Sequence, residues 1–245
     1  MLGTDWVQKA EFQIEALRKA AEIELHAIRC DFPSWQKDDV RQCAILRLGT
    51  ILFVPVVSLY TMRVHMCDPA WWEQYATGTG SALAAPGRTA FDRGIKGKLI
   101  LDLVGNLEHS FRLILGQLDP HNKASKFWII CQCLFRSKKP YLSSIPTDWE
   151  PTMKLLRLIR NTVHNAWAHF PENGKDETVV FRGVTFQFVV GQPLTFISWD
   201  LLGNISESVL KIVTAVVRDA NVTCLPPIKD FGIEQVPPAE HKGTT

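Results

Sequence analysis

Pro151-Thr-Met-Lys-Leu-Leu-Arg-Leu-Ile-Arg-Asn-Thr-Val-His-Asn-Ala-Trp-Ala168 is the stretch whose reading decides the fold class. Leu155, Leu156, Ile159, Val163 and Trp167 recur at helical spacing, the pattern of a helix with one face in a core. Asp148 stands where a capping carboxylate belongs, and Pro151 is tolerated in a first turn because its missing N–H would be unpaired there anyway. A helix over 151–168 is predicted.

Working outward, the period changes after Ala168. Glu177–Arg182, Val184–Val190 and Leu194–Ile197 are rich in β-branched and aromatic residues and are punctuated by Gly174, Gly183 and Gly191. They predict a hairpin with a short third strand. Leu201, Leu202, Ile205, Val209, Ile212, Val213 and Val216 then predict a last long helix over 199–219. Upstream, apolar periodicity predicts helices over about 5–30, 38–66, 97–118 and 123–135. Thr77–Thr89, small and broken by Gly and Pro, reads as a mobile surface loop. The expectation is a mainly α chain: a helical bundle with a small β-hairpin inserted before the last long helix. Residues 1–219 form one domain, and 220–245 form a loosely ordered tail.

The bulk numbers fit an ordinary globular chain, with 46% hydrophobic and 21% charged residues. A net charge of +2 is too small to announce a nucleic-acid binder, although a local cluster of Arg and Lys can still hold phosphate. The N-terminus runs into a charged helix with no apolar leader, so a cytoplasmic protein is expected. Leu48–Met62 carries no charge over 15 residues. A spanning helix needs about 20, so a core helix is expected and no membrane. The 6 cysteines are scattered without a Cys-x-x-Cys pair, which argues against a disulfide framework; Cys131-Gln132-Cys133 has a metal-ligand reading, but with no second pair buried free thiols are the simpler one. No metal and no cofactor are expected.

On a helical wheel that starts at Arg160, His164 falls near 40° and Arg157 near 60°, at about 100° per residue. Asn161 lies near about 100°, and the apolar seam adjoins the stripe on its other side. The residue types suit phosphodiester chemistry. A neutral imidazole can take a proton from a ribose 2′-hydroxyl, and a guanidinium can grip the phosphate in a bidentate manner. If the chain pairs through this face, two such sets meet. The opposing reading is packing, because Arg and His four apart also occur without function. Glu108, His109 and Asp102 share a helix face that could approach His164, although a solvated cluster is the simpler reading. His121 and His169 fall at helix ends, as caps or solvated groups.

Leu158-Ile-Arg-Asn-Thr-Val-His-Asn-Ala-Trp167, followed by a Gly-punctuated hairpin and a helix opening at Trp199-Asp200, resembles HEPN-like proteins. More narrowly, it resembles an uncharacterised bacterial branch with an Arg-Asn-Thr-Ile-His-Asn-Asn-Gly-type sequence before such a hairpin. The resemblance is specific over about 155–217 and architectural before that. It implies a helical, commonly homodimeric domain acting as a metal-independent endoribonuclease in a toxin or phage-defence setting. Its catalytic residues would be Arg160, Asn161 and His164, with Arg157 binding RNA and an antitoxin or regulatory protein as a candidate partner. Three residues separate Arg160 from His164 where four to six are usual, and Ala166-Trp167 replaces the branch's Asn-Gly. A non-catalytic HEPN-like interaction or regulatory module is therefore the alternative.

Overall fold

A computed structural model describes residues 4–75, 80–136 and 141–232, and it is mainly α with one small hairpin, as the periodicity predicts. Helix α1 (Asp5–Asp31) buries the stripe Val7, Ala10, Ile14, Ala21, Leu25 and Ile28 and turns its charges outward. It lies along α2 (Val40–Thr61), which the Asp39 carboxylate caps by accepting from the Arg41 N–H at 3.0 Å. The chain runs helically through Pro55 and passes into a π-turn at Met62–Met66. There the Cys67 N–H donates to Met62 O at 3.0 Å.

Helix α3 (Pro69–Tyr75) leads to α4 (Gly80–Leu118). The surface loop expected over 77–89 is helical from Gly80 onward, and 77–79 lie outside the described residues. Two causes override the Gly and Pro signals. Ala82, Ala84 and Ala85 are strong helix formers, and tertiary packing supports the segment. A methyl group at Gly87 would collide with the Trp72 indole, so glycine here lets α3 lie against α4. Helix α4 is the central element and packs against α2, α3, α5, α6 and α7.

Helix α5 (Phe127–Arg136) starts later than the periodicity predicts. The Asn122 carboxamide accepts from the Ala124 N–H at 2.9 Å and holds the preceding residues in a turn. Helix α6 (Trp149–His164) is the predicted helix of the opening stretch, one turn shorter at its C-terminus. Asp148 occupies its N-cap position but its side chain makes no capping hydrogen bond.

Strands β1 (Glu177–Phe181) and β2 (Val184–Phe188) pair antiparallel, with Val179 opposite Phe186. Arg182 and Gly183 join them at φ +48° and +78°, a two-residue turn with left-handed backbone at both positions. The expected third strand at 194–197 is absent among the described residues; an isolated bridge between Ala168 and Pro193 stands there instead. Proline has no N–H to extend a ladder. Helix α7 (Trp199–Val217), capped by Ser198 Oγ, returns through the core, and α8 (Ala220–Thr223) follows it.

The tail expected to be loose from 220 is docked as far as Gly232. Val222, Ile228 and Asp230 are buried, and the Val40 N–H donates to Ile228 O at 2.8 Å. The anchor is Arg41. Its guanidinium pairs with Asp39 at 2.6 Å, with both side chains fully buried, and donates to Val222 O at 2.9 Å and Leu225 O at 3.1 Å. A proline-rich segment looked unanchored because its backbone carbonyls, rather than its side chains, hold it to a buried cation. Residues 233–245 lie outside the described residues.

Candidate functional site

Helix α6 divides cleanly into two faces. Trp149, Met153, Leu155, Leu156, Leu158, Ile159 and Thr162 are buried. Lys154, Arg157, Arg160, Asn161 and His164 are half-buried or exposed. The sequence-predicted residues thus share the outward face, but they are not equivalent.

Arg157 is engaged. Its Nη2 donates to Glu177 Oε2 at 2.8 Å, tying α6 to β1, and its guanidinium carbon lies 5.3 Å from the Trp128 ring centre. Its Nε is buried without a hydrogen-bond partner. Arg160, one turn on, is half-buried, while Asn161 and His164 are exposed. Among the described residues, no hydrogen bond, ion pair or ring contact involves any of these three side chains. His164 is the last residue of α6.

The turn that ends α6 is unusual. The Ala168 N–H donates to Asn165 O at 3.1 Å across Ala166 and Trp167, whose φ values are +54° and +70°. Two consecutive left-handed residues are what an Asn-Gly pair adopts easily, and here Ala and Trp carry the strain. Packing supports it. Gly97 of α4 faces Val163 and the Trp167 indole, and the Arg93 guanidinium lies 4.9 Å from the Trp167 ring centre. Arg93 Nη2 also donates to Ala166 O at 3.3 Å, bringing another cation to the end of α6. Sequence reasoning missed Arg93, and no local signal marks it, because the link is made across 73 residues.

His169 is not a solvated helix end. It is buried with its ring 5.4 Å from that of Phe188, and its Nε2 has no hydrogen-bond partner. Burial pushes its pKa down, against the opposing pull of Glu177 and Asp176. His109 does not join His164. Its Nε2 sits 2.9 Å from Asp230 Oδ1, while Glu108 pairs with Arg112 and Asp102 with Lys98.

Asp230 in turn receives Arg47, at 2.6 Å between Nη1 and Oδ2, as a close ion pair without hydrogen-bond alignment. Arg47 also donates to Asn106 Oδ1 and Ser110 Oγ at 2.8 and 3.1 Å, completing a polar network between α2, α4 and the C-terminal segment. Cys131 is buried and its thiol is pushed well above the ordinary range, and Cys133 is half-buried beside it. Among the described residues, no three His, Cys, Asp or Glu side chains gather as a metal centre would need.

Comparison of the chain with protein-family models, curated proteins and solved structures gives no match.

Proposed function

We propose that this chain is a HEPN-like, metal-independent endoribonuclease with Arg160 and His164 as its reactive pair. One observation carries the reading. Arg160 and His164 stand four residues apart on the open face of α6 with no partner among the described residues. The other two arginines of the α6–hairpin unit are committed, Arg157 to Glu177 and Arg182 to Asn204, Ser208 and Glu207. An unpaired Arg and His at a helix end are free to take a phosphate between them.

In this reading Arg160 holds the non-bridging oxygens of the scissile phosphate and offsets the charge gained in the transition state. His164 takes the proton of the neighbouring 2′-hydroxyl as the O2′–P bond forms and the P–O5′ bond breaks. The 5′-oxygen then leaves with a proton from solvent or from a protonated imidazole. Asn161 orients the ribose, and Arg157 supports the site by fixing α6 against β1. A non-catalytic, anion-binding role for the same face is the second reading, favoured by the exposure of His164.

The deciding experiment follows a labelled mixed RNA pool in EDTA with wild type, His164→Ala and Arg160→Ala, with binding measured in parallel. Cleavage falling by about 100-fold or more in both variants is expected. Binding that Arg160→Ala weakens, with no cleavage by folded wild type, would transfer the face to the second reading.

A further inference from the structure

The turn between α1 and α2 stacks two aromatic rings and leaves two cations unpaired beside them. In Phe32-Pro33-Ser34-Trp35 the Trp35 N–H donates to Phe32 O at 3.1 Å, and Pro33 fixes φ at the second position of the turn. Closing the turn brings the two rings face to face, with centroids 4.2 Å apart and planes 6° from parallel. The Arg41 guanidinium carbon lies 4.1 Å from the Trp35 ring centre. Two flat groups this close to one ring take opposite faces of it, so Trp35 is held between a cation and a phenyl ring. The column is closed at the Arg41 end, where Arg41 is fully buried with Asp39. Phe32 is its outer end.

Phe32 lines a pocket of about 210 Å³ together with Arg29, Pro33, Trp35, Lys37 and Gln42. No carboxylate is among these residues. Arg29 donates its Nε–H to Gln42 Oε1 at 3.2 Å, and its two Nη groups have no partner among the described residues. Lys37 is exposed, and its ammonium also has no partner among the described residues. Of the nearby acids, Asp31 pairs with Arg218 at 2.7 Å and Asp39 with Arg41, while Asp38 lies outside the pocket lining. Gln42 is buried and holds the frame. Its Oε1 accepts from Arg29 and its Nε2 donates to Trp35 O at 3.1 Å, which fixes the end of α1, the turn and the start of α2 relative to one another. A site held in this way needs little ordering when a ligand enters.

These properties select the occupant. A ring face open at the end of a stacked column favours a flat aromatic guest. Two unpaired cations with no acid between them favour an anion, and the free Nη groups of Arg29 suit the paired oxygens of a phosphate. A bare phosphate leaves the ring face unused, and an uncharged aromatic leaves the cations unused. A nucleotide uses both. The volume is below the roughly 300–1,000 Å³ of pockets that enclose drug-sized ligands, so the base enters and the phosphate rests at the rim.

We propose that the 32–35 turn is a binding site for a free nucleoside monophosphate, with the base stacked on Phe32 and the phosphate between Arg29 and Lys37. The site uses no residue of the α6 face. Its test leaves Arg160 and His164 in place, so it stands or falls independently of the ribonuclease reading.

The test is isothermal titration calorimetry of the full chain with AMP, adenosine, inorganic phosphate and a single-stranded RNA hexamer. Wild type is compared with Phe32→Leu, which keeps an apolar side chain without the ring, and with Lys37→Glu at an exposed position. Lys175→Glu, at another exposed lysine, is the control, and thermal melts report folding. AMP is expected to bind wild type and the control with a dissociation constant of about 1 mM or below. Phe32→Leu and Lys37→Glu are each expected to weaken it about 10-fold, and adenosine and phosphate to bind wild type about 10-fold more weakly than AMP. Absence of AMP binding, or AMP binding that both folded variants retain, overturns the proposal. So does phosphate binding as tightly as AMP, which would leave the stack without a role. A hexamer that binds about 10-fold more tightly than AMP and loses that advantage in Lys37→Glu would assign the turn to an RNA strand instead.

Discussion

The imidazole Nε2 of His109 lies 2.9 Å from Asp230 Oδ1, joining the middle of α4 to the last described segment of the chain. Arg47 reaches the other carboxylate oxygen at 2.6 Å, so one buried acid is clamped between two helices. Burial works to raise the Asp230 pKa, but the hydrogen bonds from His109 and from the Gly232 N–H, with the positive charge of Arg47, outweigh it and hold the carboxyl below the usual aspartate range. A depressed acid stabilises the fold above its unfolded pKa of about 3.9, and that contribution is lost as pH falls through the lower folded value. Asp230→Asn is expected to cost about 2–3 kcal/mol in urea unfolding at pH 7, because the partly buried Arg47 loses its counter-charge. Wild type is expected to lose this advantage over the variant in strong acid, which the same titration near pH 3 will show.

Arg157 and Arg160 should separate in a stability assay. Arg157→Ala removes the Glu177 ion pair and the contact with Trp128, and about 1–2 kcal/mol of destabilisation is expected. Arg160→Ala removes no hydrogen bond, ion pair or ring contact with a described residue and should stay within about 0.5 kcal/mol of wild type. Thermal melts of the two variants, set beside their RNA binding, distinguish a scaffold arginine from a ligand-facing one. Equal destabilisation would contradict the assignment.

His169 makes stability fall in mild acid. Its folded pKa is lowered by burial, so the unfolded chain takes up the proton first. The stabilising contribution is complete above the unfolded value of about 6.5 and declines as pH falls toward the folded one. His169→Phe should flatten the slope of stability between about pH 6.5 and 5, whatever it does to stability at pH 8. An unchanged slope would assign the mild-acid sensitivity to another group.

Ala166→Gly should stabilise the protein by about 0.5–1 kcal/mol, because glycine adopts a left-handed backbone without the Cβ penalty. The φ of +54° at Ala166 and the exposure of its side chain leave little else to lose. Trp167→Gly should do the reverse despite φ +70°, since it gives up the contacts with Gly97 and Arg93. Differential scanning calorimetry reads both signs.

The periodicity of α1, α6 and α7 was legible in the chain because each buries one continuous stripe, and a single stripe is a local property of sequence. The hairpin was legible from its β-branched runs and the glycine of its turn. The start of α4 was not. Gly80, Pro86 and Gly87 read locally as loop, and only the Trp72 indole lying against Gly87 gives that glycine its purpose. The candidate site was half legible. The wheel placed Arg157, Arg160 and His164 on one stripe, but it could not tell which arginine was already paired, since Glu177 lies twenty residues away on another element.

By itself, then, the sequence determined where helices and strands form and which face of each is apolar, because propensity and periodicity act over a few residues. Tertiary structure alone decided the partners: Arg157 with Glu177, Arg41 with the carbonyls of Val222 and Leu225, and Asp230 with His109 and Arg47. It also decided that α2, uncharged from Leu48 onward, buries one stripe and leaves the other in water. Composition gives an apolar residue the same transfer free energy wherever it lies, and only packing determines which side chains collect it.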